Sequence, residues 1–476
     1  MRWAIGLLVA GYFVLLVSNT SFFAAGPDTS GYLSEARLLA SGRTSVTIEP
    51  LAKAKLPPSM AYLFTPYGFM PAGGGRMVPT YPVGTPLHLA AAAAVGGWRV
   101  APFLVAPLAA VASLFLFVAV AGEFGLSRGW AIAGAALLGA YPVFISMSLQ
   151  PMSDVLATAW TLAAVWCALK SRHSWRWAAA CSVAFCIGVA VRPSNVILAL
   201  PLAVAIGFRP ARLAVAAAAA LPFAAALMWY HDTLYGSPWA TGYGSAGRLF
   251  SFGGTPPCLG THVMAIGGML TPLIAAGFLV AFDRLLAISQ RLLLLSWLGV
   301  FLLFYSFYSY CPDPTATRFL LPALPPLLIG FLRVVSRLRV VAVLAIVLVL
   351  AREVVQVGRM HTLHHDEWES IYPRTVAWVE REVPRDAVVL SAIVSGAFYY
   401  QAERITVRWD QLDPPNAAIL RGAPGLEGPW YAVVSDVEGG EAALRARVPG
   451  DWRLVGKLRD VALWRLDPRP GPATSA

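Results

Sequence analysis

Four charged side chains stand in otherwise apolar surroundings, and each is of a type that can do chemistry. Asp28, in GPDTSGYLSEARLLASGR, and Asp154, in LQPMSDVLATAW, offer carboxylates. A carboxylate held beside a reacting hydroxyl accepts its proton as a general base. A short acidic side chain also serves the start of a helix, where it accepts from free backbone N–H groups and meets the positive end of the dipole. Asp28 therefore reads either as a general base or as a turn and cap residue. Asp154 reads either as a cap or as a second site carboxylate that contacts substrate. Arg192, in VAVRPSNVILALP, and Arg318, in PTATRFLLPALPP, each sit at the edge of an apolar run. A guanidinium matches phosphate with paired donors and remains charged. The same side chain also snorkels from an apolar helix to the interface, so phosphate binding and anchoring are both open for the two arginines.

The elements that must position these residues follow from composition and hydropathy. With 58% hydrophobic and only 13% charged residues among 476, and a mean hydropathy of +0.64, the chain has more apolar surface than a water-soluble core buries. It reads as an α-helical polytopic membrane protein. A span needs roughly 20 mainly apolar residues, and one opens the chain from Trp3 to about Ala25. That stretch is long for a signal core and ends in FFAAGPD without a small-x-small site, so it reads as a retained span. Further spans centre near 101–121, 129–147, 154–169, 177–191, 194–208, 212–229, 264–282, 292–309, 319–332 and 339–353, which brings the total to about eleven.

Taking the N-terminus as cytoplasmic, the inner loops hold Arg2, Arg128, Lys170, Arg172, Arg176, Arg209, Arg212, Arg284, Arg291, Arg333, Arg337 and Arg339. The short outer loops hold only Arg192, Arg248 and Arg318. That asymmetry is the positive-inside pattern, and it accounts for the net charge of +11 without any nucleic-acid partner. Spans and orientation place a first outer loop at 26–100 within a membrane domain of residues 1–353, and a soluble extracytoplasmic α/β domain at 354–476. In the outer loop, SGYLSEARLLASG has apolar residues at helical spacing and reads as a helix on the membrane surface, and PLHLAAAAAV as an interfacial or re-entrant segment. In the C-terminal domain, AVVLSAI, ITVRWD, WYAVVSD, WRLVGKL and VALWRL read as strands, with GAFYYQA and EAALRARV as helices. His361, His364, His365 and Asp366 cluster in HTLHHDEW at the start of this domain, where a solvated linker face is favoured over a zinc site. Cys258 and Cys311 fall in outer loops, where an oxidising compartment favours a disulfide, while Cys167, Cys181 and Cys186 fall within spans.

The order and position of PDTSGYLSEARLLASG, TYPVGTPLHLA, MSDVLATAW, VRPSNVILALP, YGSPWATGYG and RFLLPALPP resemble the GT-C superfamily of polytopic glycosyltransferases, which includes protein mannosyltransferases and aminoarabinose transferases. The resemblance covers about residues 1–335. It implies that Asp28 is the functional first-loop aspartate, that Tyr81, Pro82 and Gly84 match a Tyr-Pro-Pro-Gly-like stretch with Val83 in place of the second proline, that Asp154 is the later outer acidic position and that Arg318 is the arginine before the late Pro-rich span. Thr29 follows Asp28 where many relatives carry a second acid, which argues against an essential divalent metal. No cofactor is expected.

The implied reaction moves a sugar from a polyprenyl-phosphate donor to an acceptor hydroxyl on a glycan, lipid or protein. A glycosidase needs two carboxyl groups because its leaving group is poor, whereas a polyprenyl phosphate leaves as a stable anion. One base, Asp28, with cationic stabilisation from Arg192 and Arg318 then suffices for an inverting displacement. Tyr32, Tyr81 and Tyr243 are candidate sugar contacts, with interfacial anchoring as the alternative for each. The absence of a GxxxxGK loop favours a lipid over a nucleotide donor. The competing reading is a transporter or flippase for a lipid-linked or anionic substrate; it would want polar or broken helices at mid-membrane, whereas the candidate polar residues gather at the outer boundary. The expected location is a bacterial inner or plasma membrane, with the site on the extracytoplasmic face.

Overall fold

The computed structural model describes residues 2–244, 249–251, 256–309, 314–402 and 404–467. The chain divides into two compact units, one of Met1–Thr20, Pro82–Thr233 and Ser237–His365, the other of Ser21–Tyr81, Leu234–Gly236 and Asp366–Ala476.

The first unit is helical. Each apolar stretch expected to span is built around helix, but the lengths differ from expectation. Among the described residues five helical runs are long and apolar enough to cross a membrane, or up to seven if each of two bent pairs counts as one span. One reason is proline: Pro142, Pro193 and Pro272 each open a new helical turn, because the missing N–H interrupts the preceding ladder. Arg128–Ala140 and Pro142–Ser148 thus meet at 68°, and Leu259–Leu270 and Pro272–Phe282 at 105°. The opening helix runs Arg2–Ser18 and stops short of the expected Ala25. Ser153–Lys170 is buried on nearly all sides, as suits a helix without a polar face at the centre of a bundle. Close helix approach uses small residues: a Cβ at Gly330 would lie 2.5 Å from the Gly277 carbonyl oxygen, the kind of contact that replaces hydrophobic drive inside a membrane.

The second unit joins the first loop to the C-terminal segment through one core, so the expected boundaries, with 26–100 in the membrane domain, are not those of the compact units. Strands β1 (Val46–Thr47), β2 (Phe69–Ala72) and β3 (Arg76–Pro79) form a small antiparallel sheet in the order β1-β3-β2, which the sequence reading did not anticipate. The five expected C-terminal strands are all present as β4 (Val388–Ser391), β5 (Thr406–Val407), β6 (Trp430–Ser435), β7 (Trp452–Leu458) and β8 (Val461–Leu466). They order as β5-β4-β6-β8-β7, with β4 parallel to β5 and β6, and β8 antiparallel to β6 and β7. Leu38, Leu63, Phe64, Phe69 and Met77 from the first loop share a cluster with Leu390, Trp409, Trp430 and Trp464. Helix Pro27–Ala40, expected on a membrane surface, instead buries Thr29 through Ala36 and Leu38. Its polar face is small enough to be packed over: Ser30 and Gly396 approach so closely that a Cβ at 396 would meet Ser30 Oγ at 2.4 Å.

Candidate active site

In the second unit the sequence candidates Asp28, Tyr32 and Tyr81 come together at the head of helix Pro27–Ala40. Gly26 is the N-cap residue and makes no side-chain cap, and Asp28 lies in the first turn. The carboxylate accepts from the Tyr81 hydroxyl at 2.7 Å, and the Tyr32 and Tyr81 rings pack with centroids 4.6 Å apart. Gly31 makes this possible: a Cβ there would lie 2.2 Å from the Tyr81 ring and 2.9 Å from the Gly68 Cα. Glu369, which the sequence reading passed over inside the linker-like HHDEWES, accepts from the Gly26 N–H at 3.0 Å. Burial pushes the Glu369 carboxyl above the usual carboxylate range, the Gly26 N–H opposes this, and the Asp28 charge adds to it. The Tyr372 hydroxyl lies at the same turn and is likewise pushed up, first by burial and then by the Glu369 charge.

In the first unit Arg192, which is bonded to Asp154, and Arg318 both approach the Phe319 ring. Arg192 Nη2 donates to Asp154 Oδ1 at 2.6 Å and to Ser153 Oγ at 3.0 Å. Asp154 is fully buried and Arg192 is 9% exposed. The Asp154 side chain is therefore engaged with Arg192, a partnership across 38 positions that sequence spacing did not show. Removing one member of such a pair strands the other charge, a loss of about 3–5 kcal/mol. The Arg192 and Arg318 guanidinium carbons lie 5.3 and 5.1 Å from the Phe319 ring centroid. Tyr305 stacks on Phe319 at 5.2 Å and shares a hydrogen bond with Ser194. Arg318 is more open than Arg192. Tyr243 is exposed in the segment after Leu234–Gly236.

Cys258 is buried and disulfide-bonded, Cys167, Cys181 and Cys186 are free thiols, and Cys311 lies outside the described residues, as does Arg248. No group of three or more His, Cys, Asp or Glu side chains is arranged to hold a metal among the described residues.

No family model matches the sequence, and neither does any curated protein. Solved structures do match in fold. ArnT from Cupriavidus metallidurans bound to undecaprenyl phosphate superposes with a TM-score of 0.60 at 14% identity, over 98% of both chains. Its apo state gives 0.59 at 13%, again over 98% of both chains. The archaeal oligosaccharyltransferase AglB from Archaeoglobus fulgidus, in complex with an inhibitory peptide and a dolichol-phosphate, gives 0.54 at 12% over 99% of this chain and 75% of its own. Both proteins belong to the GT-C superfamily, so the resemblance read from the motifs extends to the fold of the whole chain.

Proposed function

We propose that the protein is a membrane glycosyltransferase that moves a sugar from a polyprenyl-phosphate donor to an acceptor hydroxyl on the extracytoplasmic side of the membrane. The observation that carries this reading is the likeness over nearly the full chain to a transferase bound to undecaprenyl phosphate. Asp28 takes the acceptor proton as the hydroxyl oxygen bonds to the anomeric carbon; the bond to phosphate breaks, and its electron pair leaves with the polyprenyl phosphate. One displacement inverts the anomeric configuration. Tyr81 orients the carboxylate through its hydroxyl. Arg318 binds the leaving phosphate, with Arg192 held in place by Asp154 lending charge beside it. Tyr32 lines the same carboxylate site.

Two measurements test this. Mass spectrometry of lipids copurifying with the protein should reveal a polyprenyl-phosphate sugar. In single-turnover transfer from that donor, Asp28→Asn should fold and bind donor but lose rate by roughly 10²-fold or more, the scale for a positioned general base. A rate near wild type in a folded Asp28→Asn protein would remove Asp28 as the base.

A further inference from the structure

At the sharper of the two helix bends, Leu259–Leu270 turns by 105° into Pro272–Phe282. In a continuous helix the Gly268 carbonyl accepts from the N–H of residue 272, but Pro272 has none. Two side chains of helix Arg339–Arg359, one turn apart, supply the missing donors: Arg352 Nε at 2.8 Å and Gln356 Nε2 at 3.1 Å. A freed carbonyl at membrane depth must find its donors within the protein, and Gln356 alone is enough for that. The arginine brings two further nitrogens, Nη1 and Nη2, which have no partner among the described residues. Its neighbour Glu353 is fully buried with neither oxygen hydrogen-bonded, and it makes no ion pair with Arg352.

Arg352 lines a cavity of about 580 Å³, a size typical of sites that enclose a small ligand. Met264, Ile274, Phe278, Leu302 and Leu324 form its walls, and Thr271 and Arg352 are its polar side chains among the described residues. The Thr271 hydroxyl also lacks a hydrogen-bond partner, in a residue held at φ 71°, where a β-branched side chain is strained. Gly267 and Gly268 leave the space open, since a Cβ at either meets nothing within 4 Å. Met264 and Phe278 are exposed, so the cavity opens toward the surroundings of these apolar helices, which in a membrane are lipid. We propose that it binds an anionic phospholipid of the bilayer, with an acyl chain between the apolar walls and the headgroup phosphate on Arg352 and Thr271. A charge in an apolar wall is costly unless it is paired, and an anionic head supplies the pair. The polyprenyl donor fits less well, because its one phosphate is assigned above to Arg318 and its uncharged chain leaves Arg352 unsatisfied. Only this choice of phospholipid over donor rests on the reading of Arg318.

The test uses the full-length protein in a neutral detergent, with phosphatidylglycerol and phosphatidylcholine of identical acyl chains as probes and native mass spectrometry as the readout. Wild type should retain one phosphatidylglycerol in preference to phosphatidylcholine. Arg352→Gln, which still offers a donor to Gly268, should lose about tenfold in phosphatidylglycerol retention, and Arg352→Lys, charged but without paired donors, should fall between. Gly267→Leu fills the cavity from a position where a side chain has room and leaves Arg352 in place. It should abolish retention of the lipid without loss of thermal stability. If the two lipids are held equally, or if Gly267→Leu retains phosphatidylglycerol as wild type does, the proposal is overturned and Arg352 serves Gly268 alone. Undecaprenyl phosphate is then added in competition. Displacement of phosphatidylglycerol from wild type assigns the cavity to the donor chain and also overturns the proposal. Retention that survives this competition, and is undiminished in Arg318→Ala, supports it even if Arg318 proves to be an interfacial anchor.

Discussion

At Arg318 charge and hydrogen-bond geometry can be separated. Lysine keeps the charge but not the paired donors that fit phosphate, and alanine keeps neither. Arg318→Ala should therefore weaken binding of undecaprenyl phosphate and slow transfer by about tenfold or more, with Arg318→Lys between it and wild type. Equal affinity in the three proteins, measured on the purified enzyme in detergent, would leave Arg318 as an interfacial anchor beside Phe319. Single residues of this kind were legible in the sequence because a charge at the edge of an apolar run is costly and so conspicuous. Their partners were not. Asp154 reads as a helix-start acid from its neighbours in sequence, yet its carboxylate is used on Arg192. Phe319 and Tyr305 look like any span aromatics until the fold stacks one on the other. Glu369 was hidden by composition, since a run of His, Asp and Glu has the look of a solvated linker.

Helix Pro27–Ala40 shows how an element can be found from its pattern and still be misplaced. The apolar spacing gave the helix, but a polar face predicts water or a membrane surface, and this face is packed by small residues against other parts of its own unit. Gly31 is the point at which that packing reaches the chemistry. Gly31→Ala puts a methyl 2.2 Å from the Tyr81 ring, which must swing away from Asp28. Overpacking of this kind costs about 1–3 kcal/mol, and loss of the tyrosine hydrogen bond should slow transfer by about tenfold. Tyr81→Phe separates the two effects: it removes the hydroxyl with a stability cost of only about 1 kcal/mol. If Gly31→Ala and Tyr81→Phe both transfer at the wild-type rate, the tyrosine does not orient the base. The strands of the second unit were easier to read. Runs such as WYAVVS are β-branched and aromatic, and β6 is buried along its whole length as such a run requires.

The positive-inside argument treats loops as places where charge is left, while the structure shows that some of that charge is employed. Arg333 donates twice to Asp283, at 2.9 and 3.1 Å, and Arg337 bonds the other oxygen of the same carboxylate. Hydropathy therefore located the membrane-type helices but was blind to what ties their ends, and it divided the chain at the place where composition changes. Core packing divides it elsewhere, because the first loop and the C-terminal segment bury one set of side chains together. The Arg408 N–H donates to the Leu63 carbonyl at 2.7 Å, and the Arg408 guanidinium lies 3.9 Å from the Tyr67 ring centroid. Beside it Trp409, 2% exposed, fills the shared core. Trp409→Ala should cost the unit about 3–5 kcal/mol, as a large-to-small change does where neighbours cannot collapse into the space. Because the unit that loses this packing also holds Asp28, transfer should fail at a lower temperature than in wild type, although residue 409 belongs to a segment that the sequence assigns to a separate domain. Val455→Ala, at a half-exposed position on β7, should change stability by no more than about 0.5 kcal/mol and serves as the control. Thermal unfolding and thermal loss of transfer, followed in parallel on both variants, decide the matter: if Trp409→Ala unfolds early while transfer keeps its wild-type temperature profile, the C-terminal segment is not part of the scaffold that holds the base.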